Sequence, residues 1–147
     1  MGTIVKGLIA GAVGTGALNV ATYLDMAARA RPASSTPEQV VQRLAEAADV
    51  GLGEGEQAEN RKAGLGPLLG YATGLGAAVA YGPLARRLPW PVGVVALTAL
   101  AMAGSNAPMA ALGISDPRRW SATDWVSDLV PHLAYGIAAA AAFRRLG

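Results

Sequence analysis

Gly66, Gly70, Gly74, Ala78 and Gly82 recur at every fourth position inside an uncharged run from Ala63 to Ala85. A four-residue repeat places all five on one stripe of a helix. In water such a stripe is a liability, because each glycine in a helix interior costs about 1 kcal/mol relative to alanine. In lipid the same stripe lets two helix backbones approach until van der Waals contact holds them together. The feature predicts a membrane helix that packs through Gly66, Gly70, Gly74 and Gly82.

The charge pattern extends this reading to the whole chain. Gly7 to Leu24 and Leu88 to Ser115 carry no charged side chain, and Leu129 to Phe143 carries only His132. Crossing roughly 30 Å of hydrocarbon takes about 20 helical residues. The first three runs supply that length, and the fourth reaches it from Trp125. The predicted fold is all-α: one domain over residues 1–147, an integral membrane bundle of four transmembrane helices at about 4–24, 64–84, 92–112 and 125–143. With 52% hydrophobic and 15% charged residues, the chain is too apolar for a soluble domain of this length. A soluble Ala-rich bundle would also carry charge along the outward face of each helix. The absence of Cys removes disulfides, thiolate metal sites and thiol nucleophiles. Ten Arg against two Lys, with abundant Ala and Gly, suits a GC-rich bacterial genome.

Within the first span, Gly7, Gly11, Thr15, Asn19 and Tyr23 form a second four-residue stripe. Helix packing through Gly7 and Gly11 accounts for these glycines better than a dinucleotide-binding loop, which needs a preceding strand and an acidic residue about 20 positions on. The polar connection, 25–63, contains a helix start: Thr36 as N-cap, Pro37 at the first helical position and Gln39 placed for a capping box. Val40, Val41, Leu44, Ala47 and Ala48 then share one face of a short amphipathic helix, suited to capping the bundle, lying on the membrane or meeting a partner protein. Gly51 to Glu56 reads as a flexible acidic linker. Ala99, Ala103, Ala107 and Ala111 give the third span a small-residue stripe of its own. Trp90 at one interface and Trp120 and Trp125 at the other fit an aromatic belt.

Four spans put both termini on one side, which allows the polar residues to be compared by depth. Asn19, Tyr71, Ser105, Asn106, Asp128 and His132 all fall near the span ends that face the two polar loops. Asp128, His132, Gly136 and Ala140 also share a stripe. Ionisable residues inside a span usually face the bundle interior and are paired, so these six residues are the predicted polar pocket. Pro131 removes one helix hydrogen bond beside it. Three uses of the Asp128–His132 pair stay open: hydrogen bonds between helices, a proton or ion relay, and metal binding. One His with few acids and no Cys is a poor metal-ligand set, and neither metal nor cofactor is expected. The lone His has no flanking nucleophile motif, so nothing specifies an enzyme. The basic residues are pairs at span ends rather than a patch, which argues against nucleic acid.

The segment Gly113-Ile-Ser-Asp-Pro-Arg-Arg-Trp120, followed by Ser127-Asp128-Leu129-Val130-Pro131-His132-Leu133 and Tyr135, resembles the last loop and last helix of the YagU-like family of small bacterial inner-membrane proteins. In that pattern an acidic residue precedes a His-Leu pair by four positions, and Asp128 and His132 match it. Gly7-Leu-Ile-Ala-Gly11 is similar to the family's first helix. The match covers about a third of the chain and departs from it in the acidic linker. The resemblance implies a small multi-pass membrane protein and directs attention to Asp128 and His132; it implies no particular activity.

Three function classes follow. The small-residue stripes on all four spans favour a non-enzymatic interaction or assembly subunit, a homo-oligomer or part of a larger membrane complex. The clustered polar residues favour a small oligomeric transporter or channel for protons, ions or a small solute. An intramembrane enzyme acting on lipid would need catalytic residues that the chain barely supplies. Lys and Arg number five on the terminal side and seven on the loop side, a near balance that tilts the loop side towards the cytoplasm.

Overall fold

The computed structural model describes residues 1–147 as five α-helices with no strand. They are α1 (Thr3–Arg29), α2 (Thr36–Ala47), α3 (Gly55–Tyr81), α4 (Trp90–Ala111) and α5 (Ala122–Leu146), with single 3-10 turns at Gly82–Leu84 and Pro117–Arg119. Four of the helices are long and apolar enough to cross a membrane: α1, α3 with its following turn, α4 and α5. Each packs on the next in the chain, and α5 closes the ring against α1. The result is an up-and-down four-helix bundle with α2 laid against α3.

Small side chains fill the inside and large ones cover the outside. Ala10, Ala78, Leu97, Tyr135 and Ala139 are completely buried. Leu8, Val13, Val20, Leu68, Val95, Leu100, Val130 and Ile137 are exposed. A soluble bundle places its Leu and Ile inside, whereas this arrangement suits a solvent as apolar as the side chains themselves.

The glycines set how closely the helices approach. A Cβ at Gly7 would lie 2.7 Å from the Val79 Cα, and one at Gly11 would lie 2.7 Å from the Leu75 Cα and 2.9 Å from the Gly74 carbonyl oxygen. The α1 and α3 backbones therefore touch. Gly74 faces Thr15 and Tyr135, and Gly82 faces Thr3. Two of the predicted packing positions behave differently. Gly66 meets Pro37 of α2, at 3.0 Å from its missing Cβ, and so seats the short helix rather than another long one. Gly70 is exposed with nothing within 4 Å of its missing Cβ. The helix repeats every 3.6 residues, so a four-residue stripe slips round the axis and cannot face one neighbour along its whole length.

Several boundaries also differ from the sequence expectation. Helix α3 begins nine residues before the expected span, so it takes in the last two residues of the acidic linker, Gly55 and Glu56. Helix α1 continues to Arg29 and ends where Ala30 adopts a left-handed conformation. Pro32 then keeps the preceding residue out of the helical region. Asp25 ties this corner down with hydrogen bonds from Arg31 (2.6 Å) and Arg29 (3.4 Å). The N-cap of α2 is Ser35 rather than Thr36; its hydroxyl accepts from Gln39 Nε2 at 3.0 Å and takes no backbone donor, while the backbone N–H of Thr36 donates to Ser34 Oγ at 3.2 Å. Val40 and Val41 are buried while Leu44 is exposed, so the apolar face is narrower than the pattern suggested. On α4 the stripe Ala99, Ala103, Ala107 and Ala111 points outward; the buried residues are Gly93, Val94, Leu97, Thr98, Ala101 and Asn106.

The last loop is built to aim α5. Asp116 accepts from the backbone and guanidinium of Arg118, which hold its carboxyl below the usual range. Trp120 Nε1 donates to Ser115 Oγ at 2.7 Å, and its ring packs edge-to-face on Trp125 with centroids 5.1 Å apart. Ser121 then caps α5 in a reciprocal box with Asp124, satisfying two otherwise orphaned backbone donors.

Candidate functional site

The α4–α5 seam is antiparallel, and its polar groups meet in register. Asn106 Nδ2 donates to Asp128 Oδ2 at 2.9 Å. One turn deeper, Ser105 Oγ lies 3.3 Å from His132 Nε2. Another turn on, Gly136 sits against Thr98 and the Val94 carbonyl, so the two backbones come close there. The four-residue stripe Asp128, His132, Gly136 thus runs along α4. Asp128 and His132 side chains are 18% and 12% exposed, low enough to make their partners matter.

The imidazole is held at both nitrogens. Nδ1 lies 2.7 Å from the Asp128 carbonyl oxygen and 3.4 Å from its carboxylate Oδ1. Both are acceptors, so the partners assign a proton to Nδ1. In the neutral ring Nε2 is then an acceptor for the Ser105 hydroxyl. When the ring is protonated, Nε2 donates instead, and the hydroxyl proton turns to the Ala101 or Met102 carbonyl oxygen, each 3.1 Å away. Either protonation state therefore finds a complete set of partners, with the serine rotor as the moving part.

Ser105, His132 and Asp128 stand in the order of a nucleophile, base and acid, which sequence reading did not anticipate. Hydrolysis would also need donors aimed at a developing oxyanion. Ser105 lies inside α4, where the neighbouring backbone N–H groups belong to the helix, and the nearby Asn106 amide already donates to Asp128. The arrangement can pass a proton but offers no oxyanion hole. No three His, Asp or Glu side chains converge in a way that could hold a metal ion.

Two residues assigned to the pocket from sequence lie apart from this network. Tyr71 is 40% exposed on α3, because its azimuth falls on the outer face. Asn19 is half-buried on α1, and the hydrogen bonds of the network run between α4 and α5 without it. Shared depth predicted both, but depth says nothing of which way a side chain points round the helix.

Sequence reading missed the group at the centre of the bundle. Tyr135 is completely buried, and its hydroxyl donates to the Gly74 carbonyl oxygen at 2.5 Å, across the diagonal from α5 to α3. Gly14 makes room for the ring: a Cβ there would fall 2.6 Å from Tyr135 Cδ2. The available signal was a tyrosine in mid-span, since a phenol in apolar surroundings requires an acceptor. At the loop end, Arg29 donates to Ser127 Oγ at 2.9 Å and links α1 to the start of α5.

Compared with known protein families, characterised proteins and solved structures, the chain matches none.

Proposed function

We propose that this chain is a small multi-pass protein of the bacterial cytoplasmic membrane that transfers protons, or an ion or small solute coupled to them, with His132 as the proton carrier. The carrying observation is the imidazole held between Ser105 on α4 and Asp128 on α5. Imidazole is the side chain whose charge ordinarily changes near neutral pH, and an ionisable residue inside a span is by default a functional candidate. The resemblance of the last loop and helix to the YagU-like family points to the same two residues. In liposomes loaded with a pH-sensitive dye, the protein should speed collapse of an imposed pH gradient, and His132→Asn should return the rate to that of empty vesicles. Wild-type protein no faster than empty vesicles would remove this reading.

A second reading is an assembly subunit that packs with its own copies or in a larger complex. Its support is Gly70, the one α3 stripe glycine with open space beside it. The glycines at 7, 11, 74 and 82 already serve contacts within the chain, which takes away most of the original argument for it.

Both readings require insertion with α1, α3, α4 and α5 as spans. Single cysteines replacing the exposed Glu56 and Arg87 should label from opposite faces of a sealed vesicle. Labelling of both from one face would rule the topology out.

A further inference from the structure

The two ends of the bundle differ in charge. All ten carboxylate side chains lie between Asp25 and Glu59 or between Asp116 and Asp128, so the opposite end, with Lys6, Arg86, Arg87, Arg144 and Arg145, has none. There a cavity of about 710 Å³ opens among Lys6, Arg86, Arg144, Tyr81, Trp90 and Phe143. It lies at the other end of the bundle from the His132 network.

The cations in this cavity converge. Lys6 Nζ, from the first turns of α1, and Arg86 Nε and Nη2, from the α3–α4 turn, all donate to one oxygen, the main-chain oxygen of Gly147. Two elements far apart in sequence thus bring an ammonium and a guanidinium together on one oxygen, and these are the charged donors that suit phosphate and carboxylate. The walls are aromatic. Tyr81 packs edge-to-face on Phe143 with centroids 5.4 Å apart, and the Arg144 guanidinium stands 6.0 Å from the Trp90 ring centroid. A cationic mouth over an aromatic wall, at the end of four apolar helices, fits a ligand with an anionic head and an apolar body. A freely soluble anion would have no use for the wall.

We propose that this cavity binds the phosphate of an anionic phospholipid headgroup, with Lys6 and Arg86 as its ligands and Arg144 at the rim. The phosphate takes the position that the Gly147 oxygen holds. Arg87 supplies an internal control, since it adjoins Arg86 and carries the same charge but does not line the cavity.

The test uses the full chain reconstituted in equal phosphatidylglycerol and phosphatidylcholine and released for native mass spectrometry. Wild-type protein should retain phosphatidylglycerol in preference to phosphatidylcholine. Arg86→Gln should lower the phosphatidylglycerol-bound fraction on the order of tenfold, as expected for losing a charged hydrogen-bond donor, while Arg87→Gln leaves it unchanged. Absence of a headgroup preference in wild-type protein would overturn the proposal without reference to any variant. Equal losses in both variants would reduce it to general surface charge. Inorganic phosphate binding as tightly as the lipid would make the site one for soluble phosphate and overturn the lipid assignment.

Discussion

Gly74→Leu is expected to destabilise the folded bundle by roughly 2–6 kcal/mol, while Gly70→Leu, four residues earlier on the same stripe, leaves it intact. Any side chain at Gly74 runs into Thr15 and the Tyr135 ring, whose Cε2 lies 3.3 Å from the missing Cβ. The neighbours cannot retreat. Thr15 is fixed by its hydroxyl donating to the Gly11 carbonyl at 2.8 Å, and Gly11 itself rests on the α3 backbone. A leucine there must force α1 from α3 and break the Tyr135 hydrogen bond to the Gly74 carbonyl. Overpacking costs about 1–3 kcal/mol, and a stranded buried hydroxyl a further 1–3 kcal/mol or so. Folded domains have only about 5–15 kcal/mol in hand. At Gly70 the same leucine projects into open space. Elution of each variant in mild detergent and its thermal unfolding followed by circular dichroism check the contrast; two variants behaving alike would mean that the α1–α3 contact is not what holds the bundle.

The same pair of glycines shows what could be read from the chain alone. Long uncharged runs fix the number of helices, because nothing else lets so many residues avoid charge; hence four long apolar helices were legible. Their ends were less so. Residues Gly55 to Ala63 are polar, yet they continue α3 because nothing in Glu56-Gln-Ala-Glu-Asn-Arg-Lys-Ala63 breaks a helix. Which stripe faces inward was only partly legible. On α1 and α3 glycines mark the contact, whereas on α4 the alanine stripe is outward and the buried line runs through Val94, Leu97, Thr98 and Ala101. Alanine is common everywhere in this chain and so marks nothing. The polar residues on α4 and α5 were legible because Asp128 and His132 share a face that must be paired. Tyr71 and Asn19 were not, since depth without azimuth leaves half the information missing. The cationic cavity at the other end escaped notice because its residues come from the ends of all four long helices, each of which reads alone as an ordinary interfacial end.

Asn106→Leu should destabilise the bundle by about 1–3 kcal/mol or more, because it leaves the Asp128 carboxylate without its amide donor in surroundings where an unpaired charge is costly. The remaining side-chain partner is His132 Nδ1 at 3.4 Å, which already lies nearer the Asp128 carbonyl. Adding Asp128→Leu should recover most of that loss, since replacing both members of a buried polar pair by apolar groups can be nearly neutral. The double-mutant cycle therefore isolates the clasp between α4 and α5. His132→Asn belongs to a different class, because an amide can still donate towards the Asp128 carbonyl and Ser105 keeps the Ala101 and Met102 carbonyl oxygens as acceptors, while an amide cannot carry the proton. It should shift unfolding by less than about 1 kcal/mol and still remove proton transfer. Strength at the loop end of the seam then follows Asn106–Asp128, and the proposed proton transfer follows Ser105–His132. Should His132→Asn destabilise as much as Asn106→Leu, the imidazole is a strut holding α4 to α5, and the proton-transfer reading loses its central residue.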